Sequence, residues 1–424
     1  MLVFVQNKDG RPLMPCSAAK ARFMLKEKKA SIVSRTPFTI KLLYGSSGYK
    51  QAVNLGVDSG FQHIGISAIS EKKELFATEV VLRSDMVNLN SERLSYRRNR
   101  RTRKTWYRKP RFLNRVSTKK PGWFAPSIRN KIETHLKVVD KVVRLLPISS
   151  IKVEVANFDI QKIRNPNISG EMYQQGEQSG FWNIREYVLY RDGHKCCACG
   201  GKSNDQILNV HHIESRKTGG DRPENLITLC ESCHKNFHAG IVKFKFNQSE
   251  SFKSETFMTS VRWEIINKLK ETYNDIVSFT YGYKTKQKRI ANFLPKSHIN
   301  DAFVIASGTN QLRSSCYLIK QVRKCNRKLF KGDRSHLRNT APRFIKNFQR
   351  FDKVFFKGIE CFIFGRRSTG YFDLRKLDGT KIHASASVKF LKLKESFKTL
   401  LIERIDSDAV ASVLAEGHPL SSRP

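Results

Sequence analysis

Two cysteine pairs, Cys196-x2-Cys199 and Cys230-x2-Cys233, are spaced so that each can wrap one side of a tetrahedral ion. Four thiolates around one Zn2+ leave no open coordination position, so such an ion braces structure and does no chemistry. The alternatives for these residues are two disulfides or four buried thiols. Between and just after the pairs run LNVHHIESRKTGGDRPENLITL and CHKNFH, which carry His211, His212, Asn225, His234 and His238. A neutral imidazole with a pKa of about 6.5 can take a proton from water, and a cation can steady the charge that grows on a phosphate. The chemistry suggested is phosphodiester hydrolysis. A zinc-ribbon binding module without catalysis is the competing reading.

Three further segments carry carboxylates where carboxylates are costly. Asp58 ends the apolar run VNLGVD before a small-residue turn. Glu154 interrupts IKVEV, a strand otherwise made mostly of Ile and Val, and burying it is unfavourable unless it meets a cation or a base. In His298-Ile299-Asn300-Asp301-Ala302, the histidine and aspartate stand three apart and share a helix face. Taken singly each has a plain structural role; Asp58, for instance, could simply cap a turn. Taken together, their order and character do not recur easily by chance.

The window from Arg93 to Arg115 holds eleven basic residues and no acidic one. Arg97, Arg101, Lys104 and Arg108 fall on one stripe at helical spacing, and Arg93, Arg98, Arg100 and Arg103 thicken it. A solvated surface helix is the ordinary fate of a charge run, but uncompensated repulsion at this density favours phosphate as the counterion. Tyr96, Trp106, Tyr107 and Phe112 interleave faces suited to stacking on unpaired bases.

Composition agrees. Of 424 residues, 78 are Lys or Arg and 37 Asp or Glu, a formal net charge of +41 that calls for a polyanionic partner. The length suits two to four domains. No run reaches the roughly 18 apolar residues of a membrane span, and MLVFVQNKDGR reads as a strand and turn, not a secretion signal. A cytoplasmic, reducing location and no membrane partner are therefore expected, with Cys16, Cys197, Cys316, Cys325 and Cys361 as free thiols.

The elements that must position these groups can be sketched. Strand alternation opens the chain, a basic helix is predicted over about 17–29, and two short strands follow in ASIVSRTPFTIKLLY. Further strands carry Asp58 and Glu154, with helices predicted near 127–146, 255–274 and 298–307. Beyond residue 340, turns recur about every ten residues and suggest a small β-barrel.

The segment from the first cysteine pair to CHKNFH resembles the HNH nucleases, and the split carboxylates resemble the RNase H-like core of RuvC nucleases. Their order along the chain, with a PLMP segment first and an arginine-rich helix between the first two carboxylates, resembles the IscB family. Members of that family are transposon-encoded, RNA-guided RuvC/HNH nucleases and compact relatives of the CRISPR type II effectors. The resemblance implies an α/β multidomain fold: a PLMP module at 1–48, RuvC segments at 49–84, 117–178 and 246–312, an arginine-rich bridge helix at 85–116, an inserted ββα-metal HNH domain with zinc knuckles at 179–245, and a C-terminal β-rich domain at 313–424. It implies a monomeric ribonucleoprotein with a structured guide RNA and a double-stranded DNA target. HNH would cut the guide-paired strand and RuvC the displaced strand, both with Mg2+, while a structural Zn2+ sits on the four cysteines. Asp58, Glu154 and Asp301 would be Mg2+ ligands and His298 a ligand or proton carrier. His212 would be the HNH general base, His211 a metal ligand and Asn225 the holder of the loop, with His234 or His238 as a second ligand. The C-terminal domain would read a short motif beside the target. The rival is a guide-independent HNH endonuclease of the homing or restriction type; a non-enzymatic RNA-binding protein with decayed centres is a third reading.

Overall fold

The protein was analysed as a computed structural model. It describes residues 2–104, 123–155, 181, 183–203, 205–213, 223–241, 253–323 and 342–405. The chain divides into two compact units, one formed by 1–157 with 257–424 and the other by 158–256.

The first unit begins with a four-stranded sheet of order β2-β1-β4-β3, built from β1 (Leu2–Gln6), β2 (Pro12–Ser17), β3 (Ala30–Arg35) and β4 (Phe38–Leu42). Helix α1 (Ala18–Lys26) starts at Ser17, whose hydroxyl accepts from the Lys20 amide, and buries Ala21 and Met24 against Val3, Val5, Ile40 and Leu42.

Its centre is a seven-stranded sheet. Strands β5 (Asn54–Ser59), β6 (His63–Ile69) and β7 (Glu74–Val81) form an antiparallel meander. Helix α2 (Met86–Lys104) carries the arginine-rich run, and α3 (Pro126–Val143) leads to β8 (Ser150–Val155), which returns parallel to β5. The interiors of β5 and β6 are buried residue after residue because both sheet faces are covered.

The second unit is small. It contains α4 (Ile184–Arg191), the antiparallel pair β9 (Leu208–His212) and β10 (Leu226–Cys230), and α5 (Glu231–His238). Arg191 at the end of α4 donates to the carbonyls of Pro223 and Leu226, and Asp192 accepts the Thr228 amide at 2.9 Å, so helix and hairpin are tied by polar contacts. The apolar clusters here gather few residues each, chiefly Tyr187, Val188 and Leu226 in one and Cys196, Leu229 and Cys230 in the other. A core this thin ordinarily needs a metal or disulfide brace.

Back in the first unit, α6 (Lys253–Tyr273) and β11 (Val277–Tyr281) are followed by α7 (Gly282–Ala291), a helix not expected from the sequence, then α8 (His298–Ile305) and β12 (Cys316–Gln321). The sheet order is β11-β8-β5-β6-β7-β12-β18, where β18 is Leu400–Ile405. Phe257, Val261, Ile265 and Leu269 of α6 join Ile132, Val138 and Val142 of α3 against Leu55, Val57, Ile64 and Val153. The opposite face receives α8. Gly56 and Gly65 permit this: a Cβ on Gly56 would lie 2.1 Å from the Ala302 carbonyl oxygen, and one on Gly65 1.9 Å from that of His298.

Strands β13 (Lys353–Phe356), β14 (Ile359–Arg366), β15 (Tyr371–Arg375), β16 (Lys381–Ser387) and β17 (Leu391–Glu395) form an antiparallel sheet of order β16-β15-β14-β13-β17 around Val354, Ile363, Phe372 and Leu374. Among the described residues no pairing joins its edges β16 and β17, so the expected barrel is seen as an open sheet. Strands β12 and β18, from within the 313–424 segment, pair in the central sheet instead, where β12 satisfies the backbone groups on the side of β7 away from β6.

Candidate nuclease and metal centres

Register assembles the carboxylates. Asp58 stands opposite Gly65, and Gly65 opposite Glu79, while Val57 pairs with Val153, which sets Asp58 beside Glu154. Cross-strand neighbours share a face, so Glu154, Asp58, Gly65 and Glu79 form one row across four strands. Gly65 is the gap in that row, and the first turn of α8 fills it. Ser297 caps α8 by accepting from the Asn300 amide at 3.1 Å, which fixes the direction in which His298 and Asp301 leave the helix.

His298 Nδ1 lies 2.7 Å from Asp58 Oδ2. Arg289 of α7 pairs with Asp301 at 2.8 Å, and Gly282 brings the start of α7 close to the Glu154 carboxylate. Burial, then the charge of Asp58, pushes Glu154 up to about 7, against the influence of the Thr285 hydroxyl. Burial and Asp58 also raise Asp301, opposed by Arg289. Burial disfavours a charged His298 ring, but the bond to Asp58 and the charges of Asp58, Glu79 and Asp301 prevail and hold its pKa above the usual value. The four residues expected from the sequence are thus brought together. The carboxylates perturb one another's titration, though among the described residues the donor atoms of Asp58, Glu154 and Asp301 do not all fall within 4.8 Å of one another. A repelling set of hard oxygens fits a divalent cation such as Mg2+.

Glu154 holds its proton more tightly folded than unfolded, so in metal-free protein its contribution to stability falls as pH rises from 4.5 to about 7. Glu154→Gln should remove that part of the decline, at most on the order of 3 kcal/mol, as read from urea unfolding at the two ends of that range. Gly65→Ala should displace α8, because the methyl meets backbone and no flexible side chain can yield. The cost is roughly 1–3 kcal/mol or more, measurable by urea unfolding, and the displaced helix should carry His298 out of hydrogen-bonding reach of Asp58.

In the second unit the four cysteines gather as the spacing implies: the donor atoms of Cys196, Cys199, Cys230 and Cys233 lie within 4.8 Å of one another, with Cys199 and Cys230 sulfurs 3.9 Å apart. Burial and the neighbouring sulfurs raise the Cys233 thiol, whereas the Ser203 hydroxyl and amide lower Cys199 to about 6. Four thiols crowded to this degree fit a tetrahedral Zn2+, and the cluster can hold one. Cys197 takes no part; burial and Asp192 push it up to about 11.

His211, His234 and His238 form a second group. His234 and His238 Nε2 atoms are 3.3 Å apart, and the His211 ring sits 5.1 Å from each of theirs. Burial, then the rings of His234 and His238, lowers His211 to about 4, leaving it neutral and able to ligate. His212 follows it on β9 and so projects from the other face of the strand pair. Asn225 is buried, and its carbonyl accepts the Ile213 amide at 2.8 Å, closing the loop behind the histidines. The structure therefore brings both candidates, His234 and His238, to His211.

On α2, Arg93, Arg97, Arg98 and Arg101 are exposed, and Arg97 donates to the Arg93 carbonyl at 3.2 Å. Arg100, Arg103 and Lys104 lie in the same helix; Trp106, Arg108, Tyr107 and Phe112 lie outside the described residues, as does Cys325. Sequence reasoning missed Glu79, Arg289 and Thr285. Glu79 could have been found as a charge inside the apolar strand FATEVV, but Arg289 and Thr285 sit in KTKQKR, where one basic residue looks like the next.

The chain matches the family described as RRXRR protein over residues 3–176 and the HNH endonuclease family over 196–240. It therefore carries an HNH nuclease domain. No curated protein matches. Among solved structures it is similar to Streptococcus thermophilus Cas9 in complex with the AGAA PAM, with 14% identity over 43% of this chain and 26% of that one at TM-score 0.29. For the complex with the AGGA PAM the figures are 15%, 43%, 26% and 0.28, and for that with the GGAA PAM 16%, 49%, 30% and 0.33. The chain thus spans under a third of those proteins, and overlaps of this size carry no argument about its fold or activity. Among the described residues no helix is long and apolar enough to cross a membrane.

Proposed function

We propose that this chain, whose RRXRR and HNH segments fit an IscB/Cas9-like family, is an RNA-guided double-stranded DNA endonuclease with two separate cleavage centres. The observation that carries the reading is the row of Glu154 and Asp58 on adjacent strands, closed by His298 and Asp301 of α8, in a chain that also holds an HNH domain. The meander β5-β6-β7 with β8 and β11 added in parallel beside β5 supports an RNase H-like core assembled from three stretches of sequence.

In that core Asp58, Glu154 and Asp301 would hold Mg2+, which when bound supplies positive charge to the scissile phosphate and acidifies water. Asp58 orients His298 through Nδ1, leaving Nε2 to take up a proton. Arg289 keeps Asp301 aimed and offsets part of the carboxylate repulsion. In the HNH domain His211, with His234 or His238, would hold Mg2+, and His212 accepts the proton of the attacking water. The cysteine cluster would hold Zn2+ and fix α5 against β10, which sets the spacing of the histidines.

HNH would cut the guide-paired strand and the carboxylate centre the displaced strand. A structured guide RNA would lie along the exposed arginines of α2, where a net charge of +41 supplies the attraction. The antiparallel C-terminal sheet would read the motif beside the target. A monomeric ribonucleoprotein in the cytoplasm follows from the same reading. The test is cleavage of strand-labelled duplex in Mg2+ by protein purified with its co-expressed RNA, against protein stripped of RNA. Cleavage only with RNA complementary to the target supports guidance; equal cleavage without RNA establishes the guide-independent endonuclease instead.

A further inference from the structure

We propose that His63, Glu79 and His298 form a further metal site, sharing His298 with the carboxylate centre, that takes a borderline transition-metal ion of the Zn2+ or Co2+ class. One donor atom from each of the three lies within 4.8 Å of the others. His63 Nδ1 and Glu79 Oε1 are already 2.8 Å apart, and the His63 and His298 rings are parallel to within 2° with centroids 5.3 Å apart. Tetrahedral ligands about 2.1 Å from zinc stand roughly 3.4 Å from one another, so side-chain rotations of an ångström or so would close the set.

The surroundings are those of a ligating histidine. His298 donates Nδ1–H to Asp58, which fixes the tautomer that leaves Nε2 free to bind metal; metal-bound histidines ordinarily have such a carboxylate behind them. Backbone places the three without strain. Glu79 faces Gly65 across β6 and β7, His63 lies two residues before Gly65 on the same face, and α8 enters over that glycine. Two imidazoles and one carboxylate prefer zinc or cobalt to magnesium, which favours all-oxygen sites. The site therefore discriminates between metals that the adjacent carboxylates do not. On the function proposed above, an ion there occupies His298 and blocks cleavage at the carboxylate centre, leaving HNH cleavage intact.

The experiment uses the full chain without RNA, in a His234→Ala/His238→Ala background that removes the other histidine cluster. Gel-filtered protein is titrated with Zn2+ and with Co2+, and bound metal is counted. With excess Mg2+ present to occupy the carboxylates, one equivalent beyond the cysteine-held zinc is expected, weakened at least tenfold in affinity in His63→Ala and in Glu79→Gln, and recovered in His63→Cys, which offers a thiolate in place of the ring. Unchanged binding in His63→Ala, or no equivalent beyond the cysteine site, overturns the proposal. Failure of His63→Cys to bind while it melts like the parent also overturns it. In cleavage assays of the RNA-loaded chain with His234 and His238 restored, selective Zn2+ inhibition of one strand that His63→Ala relieves supports the blocking role, and inhibition that His63→Ala leaves unchanged rejects it. Zinc binding by a protein that cuts nothing leaves this site standing and rejects the proposed function.

Discussion

Asp58→Ala and His212→Ala should each turn a double-strand cutter into a nickase, and of opposite strands. Asp58 is linked to two of the other members of its centre: it lies beside Glu154 in the sheet and bonds His298. On the proposed function its loss removes a metal ligand and the group that sets the His298 tautomer, several kcal/mol of transition-state stabilisation, so about a thousandfold or more in rate at that centre. Asp58 lies in the first unit and the histidines of the HNH segment in the second, so cutting of the other strand should continue. His212→Ala should spare the Asp58-dependent strand and silence the one cut by HNH. The measurement is single-turnover cleavage of duplex labelled on either strand. Loss of both cuts in either variant would mean one centre serves both strands.

Cys230→Ser should cost the second unit its fold. Cys230 is buried, ends β10 at the residue from which α5 starts, and sits 3.9 Å from the Cys199 sulfur, so one residue joins the hairpin, the helix and the knuckle at 196–199. Structural zinc in small domains contributes on the order of 10 kcal/mol of apparent binding free energy, more than clusters as slight as Tyr187–Val188–Leu226 can replace. The expected result is one zinc fewer per chain, loss of amide protection across 183–203, 205–213 and 223–241, and no cutting of the HNH strand, with the Asp58-dependent strand still cut. Cys197→Ser, which alters a cysteine turned toward Asp192, should leave zinc content and both cuts intact.

The arginine-rich run, the paired cysteines and the HHI segment were legible because their chemistry lies in residue type and short spacing, which no packing has to decide. Most element positions were legible too: α3, α6 and α8 fall within a few residues of the helices that periodicity predicts, since amphipathic pattern and caps such as Ser297 are local. The carboxylate centre was legible only as a suspicion, three costly acids in an apolar context. What joined them is register: a shift of one residue between β5 and β8 would turn Asp58 and Glu154 to opposite faces. Tertiary structure alone decided that α7 would bring Arg289 and Thr285 to the acids, that Glu79 would complete the row, and that Gly65 would leave the gap α8 needs. It also decided that Cys316–Gln321 and Leu400–Ile405 would leave the C-terminal sheet for the central one. Local pattern determines which face of an element is apolar. It does not determine which partner covers that face, because that depends on contacts between residues far apart in the chain.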